Sequence, residues 1–173
     1  MTRSLIFLLA ILMACSDDED IRRAAPGKML AVVDGEEKIS TSVNAIVRSA
    51  SVAGNPAVSI EATFETPTEN FVILLSASTH DVFKPIDVGE YVVEGEDIPM
   101  NYGIIYYSPE GVVANSFVSF YVGGDIVGKI VLTQVDTANK LISGTFECTV
   151  ARPGTGETIT IREGSFTQIA YTD

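Results

Sequence analysis

The stretch that decides the fold class is Ile-Ser-Gly-Thr-Phe-Glu-Cys-Thr-Val, residues 142–150. Every second residue is apolar or small, and the residues between them are polar or charged. Successive side chains of a β-strand point to opposite faces, so this period of two predicts a strand with one buried and one solvated face. The same alternation occurs at 58–65 and 158–162. After the N-terminal segment, no window of ten or more residues has the apolar stripe of a helix. We therefore expect an all-β fold.

Turn signals separate these patterns at Asp34-Gly35, 108–111, 123–125 and 153–156, and residues 136–139 form a short polar loop. Short connections join antiparallel neighbours. The sequence predicts a single antiparallel barrel or sandwich of about 9–10 strands in a largely meander order, and it leaves barrel and sandwich open. The alternation of the last strand loses phase at Glu163-Gly164, which indicates a β-bulge. The predicted strands are 29–33, 42–49, 57–64, 70–76, 89–93, 103–107, 112–121, 126–135, 141–151 and 157–170.

Composition and charge exclude several classes of protein. The 173 residues include 23 Asp and Glu against 11 Lys and Arg, which gives a formal net charge of −12. Binding of nucleic acid needs clustered basic residues, so we expect no nucleic-acid partner. The chain has only two cysteines, too few for a disulfide scaffold. The length fits one domain, which we assign to residues 28–173.

The N-terminus reads as a lipoprotein signal peptide. A basic residue at Arg3 precedes an apolar run from Leu5 to Ala14, and this run is too short to span a bilayer. Residues 12–15, Leu-Met-Ala-Cys, resemble a bacterial lipobox, which implies cleavage of residues 1–14 and lipidation of Cys15. A diacylglyceryl group with an additional acyl chain such as palmitate exceeds the two signals that stable membrane anchoring needs.

An acidic tether follows the cysteine. Residues 17–20, Asp-Asp-Glu-Asp, resemble the surface-export signal of Bacteroidota lipoproteins. The resemblance implies an outer-membrane lipoprotein facing the cell exterior, with the periplasmic face as the alternative. We interpret residues 15–27 as the lipidated cysteine and a flexible acidic tether, because they contain few apolar residues.

The sequence offers few catalytic residues, and we expect no enzyme. His80 is the single histidine, and no G-x-S-x-G nucleophile motif accompanies it. A zinc site needs several His or Cys ligands, so we expect no cofactor, although the acidic loops leave open a weak Ca²⁺ site. Cys148 lies on the apolar face of its strand and is predicted to be buried.

One region combines acidic residues with tyrosines. Residues 85–128 contain seven acids, five of the six tyrosines, and no Lys or Arg. Aromatic rings beside carboxylates suit a sugar- or cation-binding surface, although tyrosines also pack inside sheets. The candidate binding face consists of Tyr91, Tyr102, Tyr106, Tyr107, Glu94, Glu96 and Asp97.

Several short motifs resemble an uncharacterised family of small β-rich Bacteroidota lipoproteins. They are Val33-Asp34-Gly35, Gly89-Glu90-Tyr91, 142–146 and 164–166, in this order after the lipobox. The resemblance implies no activity. The glycines are predicted to occupy turn or bulge positions, and Phe146 and Phe166 are predicted to be core residues.

These features favour a surface-anchored, non-catalytic binding or accessory domain, attached to the membrane at Cys15. Its ligand would be a glycan, a divalent cation or an outer-membrane protein. The alternative is a structural envelope or pilus-type subunit held by strand addition at a sheet edge. A hydrolase is the third hypothesis, disfavoured by the single histidine.

Overall fold

The alternating pattern forms strands as predicted. The computed structural model describes residues 22–48, 57–64, 69–77, 86–94, 101–111, 115–119, 122 and 126–173. Within these ranges the chain forms eleven β-strands and no α-helix, which confirms the all-β prediction. No helix in the same ranges is long and apolar enough to cross a membrane. The strands are β1 (Lys28–Val33), β2 (Glu36–Ile39), β3 (Ser42–Arg48), β4 (Ala57–Thr63), β5 (Asn70–Ala77), β6 (Gly89–Glu94), β7 (Asn101–Ser108), β8 (Phe117–Val118), β9 (Ile126–Asp136), β10 (Leu141–Ala151) and β11 (Thr158–Thr172).

Nine strands begin and end within two residues of their predicted positions. The predicted strand 112–121 is different, because only Phe117–Val118 is strand in the part of it that the structure describes. Strand β2 is the second difference, since the sequence showed only an acidic turn region there. Four residues are too few to display an alternation, and three of the four are charged.

The strands pair into one sheet in which β11 has a central place. Consecutive pairings run β3-β4-β5-β7-β6-β9-β10-β11, and the end of β11 pairs again with β3 through Tyr171 and Thr172. These eight strands therefore form a closed, barrel-like circuit. The first half of β11 also pairs with β1, and β2 continues the sheet beyond β1.

Strands that follow one another in the chain pair as a meander in β3-β4-β5 and β9-β10-β11, and two pairings in the sheet are parallel. β7 lies between β5 and β6 and is parallel to β6, and β11 is parallel to β3. The prediction of antiparallel neighbours throughout is corrected at these two pairings. β3 and β11 are far apart in the chain, and the six residues between β6 and β7 contain none of the turn signals on which the prediction was based.

Long strand β11 bends at two bulges. The register of β10 against β11 shifts between Phe146 and Cys148, and Glu163 has a positive φ of 50° there. This confirms the bulge predicted at Glu163-Gly164. A second shift lies at Gln168, whose φ is 48°. Bulges of this kind increase the local twist, which allows one strand to contact β1 and β3 in turn.

Aromatic side chains fill the interior. The rings of Phe146 and Phe166 are 6.3 Å apart, and the ring of Phe71 lies 6.0 Å from that of Phe146. Both phenylalanines predicted for the core are buried, at 2% and 1% exposure. Cys148 is buried as predicted, and burial raises the pKa of its thiol far above the usual range.

Candidate functional site

The structure places two of the predicted binding-face tyrosines in the core. Tyr91 and Tyr107 are each 5% exposed. The hydroxyl of Tyr91 donates to the carbonyl of Asp87 at 2.9 Å and accepts from the Asp87 N–H at 3.1 Å. Rings buried in this way cannot stack on a ligand at the surface, so the prediction of a binding role for these two residues is corrected. A tyrosine hydroxyl with an internal partner allows the ring to be buried.

The other members of the predicted face are only partly described. Tyr106 is half-buried on the side of β7 opposite to Tyr107. Tyr102 belongs to β7 and Glu94 ends β6, but their side chains lie outside the described part of the structure. Glu96 and Asp97 lie outside the described residues, as do Cys15 and His80. Whether these residues act together therefore stays a prediction.

A different polar cluster lies between β2, β5 and β7. Glu69, immediately before β5, is 7% exposed and has charged and polar partners. Its Oε1 accepts a hydrogen bond from the hydroxyl of Tyr107 at 2.8 Å and lies 3.5 Å from the ammonium of Lys38. Lys38 also forms an ion pair with Glu36 at 3.0 Å. A buried carboxylate is costly unless it is paired, and here Lys38 and Tyr107 provide the partners.

Local sequence explains how these groups meet. Asp34 and Gly35 have φ values of 47° and 87°, as a two-residue hairpin turn requires. This turn brings β2 back along β1, with Lys38 opposite Ala31. Glu36 and Lys38 are two residues apart and therefore share one face of β2. Lys38 thus extends from the sheet edge toward Glu69.

The surroundings shift the pKa values of two groups in the cluster. Burial lowers the pKa of Lys38, but its hydrogen bond with Glu36 and the negative charges of Glu69 and Glu36 outweigh burial and raise it. Burial, followed by the hydrogen bond and charge of Glu69, raises the pKa of Tyr107 far above its usual range. Lys38 therefore stays an ammonium and Tyr107 stays a neutral hydroxyl at physiological pH.

A surface depression of about 390 Å³ opens over this cluster. Its wall combines carboxylates, one ammonium, a hydroxyl and apolar side chains, which suits a ligand rich in hydroxyl groups. Among the described residues, no group of three or more His, Cys, Asp or Glu could hold a metal ion. Here the Lys38 ammonium occupies the position between the carboxylates that a cation would need. The lining residues are Glu36, Glu37, Lys38, Ile39, Thr41, Phe64 and Glu69.

A second depression, of about 590 Å³, lies at the β1–β2 turn. Asp34 and Thr160 line it, but they bond to each other, since the N–H of Thr160 donates to the Asp34 carboxylate at 3.0 Å. The Asp34 N–H donates in turn to the carbonyl of Thr160 at 3.0 Å. These groups stabilise the turn, and we do not assign a ligand to this depression.

The N-terminal docking segment, residues 22–27, packs on the domain beside this hairpin. The hydroxyl of Ser165 accepts the N–H of Ala24 at 2.9 Å and donates to the carbonyl of Arg22 at 3.3 Å. The Gly27 N–H donates to the carbonyl of Thr167 at 2.7 Å, and Ala24 is 6% exposed. The flexible tether predicted for residues 15–27 therefore does not extend to residue 27. The side chain of Arg22 pairs with Glu37 at 2.8 Å, at the rim of the first depression.

Sequence reasoning missed Lys38 and Glu69. Neither residue belongs to a motif that the sequence offers. One available signal was Asp34-Gly35, because a two-residue hairpin turn requires a returning strand directly after it. That strand would have been Glu36–Ile39. The burial of Glu69 had no local signal, since it depends on Tyr107, 38 residues away.

Fold and site together define an all-β domain with a polar surface depression and a docked N-terminal segment. The chain belongs to the family described as Domain of unknown function (DUF6252), which matches residues 36–170. The matched range starts at the first residue of β2, includes seven strands of the closed circuit in full, and ends at residue 170 within β11. No curated protein and no solved structure is significantly similar to the chain.

Proposed function

We propose that this protein is a lipid-anchored surface lipoprotein whose β domain is a non-catalytic binding or accessory domain. Its binding surface in this proposal is the depression over Lys38 and Glu69. The observation that carries the proposal is the buried Glu69 carboxylate, held by Lys38 and Tyr107 beneath an open, polar wall. Fixed polar groups of this kind orient a ligand without further ordering on binding.

The chemistry of the wall favours a glycan over a cation. Glu36, Glu37 and Glu69 are acceptors for sugar hydroxyls, and Lys38 is a donor. The Lys38 ammonium lies 3.0 Å from Glu36 and 3.5 Å from Glu69, so it offsets part of the negative charge that would attract Ca²⁺.

The structural-subunit alternative has less support. Strand addition needs an unpaired edge, and β2 is an outer edge of the sheet among the described strands. It has only four residues, and three of them are charged. Short, charged edge strands oppose pairing with other chains.

The anchor can be tested by metabolic labelling with palmitate. We expect label in the wild-type chain and in a Cys148→Ser control, and none in Cys15→Ser. Label that persists in Cys15→Ser would contradict lipidation at this residue. Protease treatment of intact cells tests the location, because a surface protein is cleaved and a periplasmic protein is protected.

Binding can be tested by thermal-shift measurements with soluble polysaccharides and, separately, CaCl₂. We expect a polysaccharide to raise Tm and the shift to be lost in the double variant Glu36→Gln, Glu37→Gln. The matched control is Glu147→Gln, which removes an exposed carboxylate paired with Lys129 on β10. A rise in Tm with CaCl₂ but with no polysaccharide would indicate that the ligand is a cation and not a glycan. No shift with any ligand, together with concentration-dependent oligomers, would favour the structural subunit.

A further inference from the structure

The docking segment limits how the anchored domain can sit on a membrane. Arg22 is already held on the domain through its backbone contact with Ser165 and its ion pair with Glu37. Seven Cα–Cα steps separate Cys15 from Arg22. Fully extended, they span at most about 25 Å. The consequence rests on the lipid anchor proposed above.

The domain is wider than this distance. A domain of residues 28–173 has a radius of gyration of about 15 Å and therefore a width of about 38 Å. If the face opposite Arg22 touched the bilayer, Arg22 would stand about 38 Å above it, beyond the reach of the tether. Orientations that hold Arg22 more than about 25 Å from the bilayer are therefore excluded, which favours those that turn the side carrying Arg22 toward the membrane.

The β1–β2 hairpin lies on that side. Leu30 pairs with Ser165 on β11 and with Ile39 on β2. Ile39 is therefore two strands, or about 10 Å, from the residue that holds Arg22. Ile39 is 54% exposed, and Arg23 in the docking segment is also exposed.

Charge on this surface is compatible with lipid head groups. Arg22 pairs with Glu37 at 2.8 Å, and Lys38 pairs with Glu36 at 3.0 Å. Glu36 and Glu37 thus each have a basic partner, although the whole chain has a net charge of −12. Exposed Arg23 can meet phosphate, and exposed Ile39 can enter the interfacial layer.

We propose that the outer face of the β1–β2 hairpin, with Arg23, is the membrane-facing surface of the anchored domain and contacts lipid head groups. Because Glu36–Ile39 also line the depression, the hydroxyl-rich ligand proposed above would be met at the head-group layer. The bilayer itself is the partner of this surface.

Single-tryptophan variants provide the test, because the chain contains no tryptophan. Ile39→Trp reports on the hairpin. Thr137→Trp is the matched control, an exposed residue in the β9–β10 turn. Four strand spacings, about 19 Å, separate the two positions across the sheet. The full-length lipidated proteins are reconstituted into phosphatidylethanolamine–phosphatidylglycerol vesicles that carry a head-group nitroxide.

We expect the nitroxide to quench Ile39→Trp severalfold more than Thr137→Trp. Equal quenching of both, or quenching of neither while the protein stays on the vesicles, would overturn the proposed surface. Protein that does not stay on the vesicles would overturn the lipid anchor, and this inference with it. The two failures are therefore distinguishable.

A further variant tests the role of the docking segment. Adding Ser165→Ala and Arg22→Ala to each tryptophan variant removes the hydroxyl that holds the backbone of Ala24 and Arg22 and the ion pair with Glu37. Release up to Gly27, which still bonds to Thr167, lengthens the tether to twelve steps, about 42 Å, which exceeds the width of the domain. We expect the difference in quenching between Ile39→Trp and Thr137→Trp to become smaller. An unchanged contrast would show that the segment does not set the orientation.

Discussion

The β10–β11 hairpin and the β1–β2 hairpin are both joined by short turns, but different forces hold them. β10 and β11 have 11 and 15 residues, and their facing sides carry the stacked rings of Phe146 and Phe166. β2 has four residues, and each of them is exposed or half-buried. The first hairpin is held by packing, whereas the second depends on pairing with β1 and on polar contacts.

This difference separates stability from binding within one sheet. The core hairpin has little freedom to vary, because its glycines leave room only for neighbouring rings and backbone. The β1–β2 hairpin exposes carboxylates and an ammonium that are available to a ligand. Four predictions test the comparison, from the largest expected effect to the smallest.

Gly164→Ala should cause the largest loss of stability. An added Cβ would lie 2.5 Å from the carbonyl oxygen of Phe146 and 2.6 Å from its ring. Overpacking of this kind should lower the free energy of unfolding by about 3 kcal/mol, measured by urea denaturation. The control is Gly154→Ala, where no atom lies within 4 Å but φ is +77°, and a loss of about 1 kcal/mol is expected. Equal losses would contradict the close packing at Gly164.

Lys38→Met should have the second-largest effect on stability. It leaves Glu69 buried without its ammonium partner and should lower the free energy of unfolding by about 2 kcal/mol in the same assay. Lys129→Met on β9 removes the exposed ion pair with Glu147 and should cost less than about 0.5 kcal/mol. If the two variants lose the same amount, the cluster contributes no more than a surface ion pair.

Ser165→Ala should have a smaller effect on stability and a clear local one. Loss of the bonds to Ala24 and Arg22 should cost about 1 kcal/mol. Hydrogen exchange at the Ala24 amide should become much faster, because its acceptor is gone. In Ser143→Ala, which removes a hydroxyl that bonds to Gln168 and Gln134, the Ala24 amide should keep its protection. A protected Ala24 amide in Ser165→Ala would refute the docking contact.

Asp136→Asn should have the smallest effect, and the effect should depend on pH. The side chain of Asn139 and the backbone N–H groups of Asn139 and Ala138 bond to the Asp136 carboxylate and lower its pKa. A carboxyl with a lowered folded pKa stabilises the protein above its unfolded pKa, about 3.9, and the contribution disappears as pH falls through the folded pKa. In urea denaturation, Asp136→Asn should be less stable than the wild-type protein at pH 7, and the two should be equally stable in strong acid. Thr137→Ala, in the same turn, should show no such pH dependence.

The candidate site was less predictable than the strands. Tyrosines and acids in residues 85–128 suggested an exposed face, yet Tyr91 and Tyr107 use their hydroxyls inside the protein. Composition cannot distinguish these cases, because a tyrosine suits both a buried position with a partner and an exposed one. Lys38 and Glu69 are 31 positions apart in the sequence, and only pairing of distant strands brings them together.

By itself, the sequence determined the all-β class, nine of the strands, the turns at Asp34-Gly35, 136–139 and 153–156, and the burial of Phe146, Phe166 and Cys148. These properties follow from the period of two and from turn residues, which act over a few neighbouring positions. The tertiary structure alone decided that β7 lies between β5 and β6, that β11 closes the circuit on β3, and that Glu69 is the buried acid. Such choices depend on contacts between residues far apart in the chain, which no local pattern records.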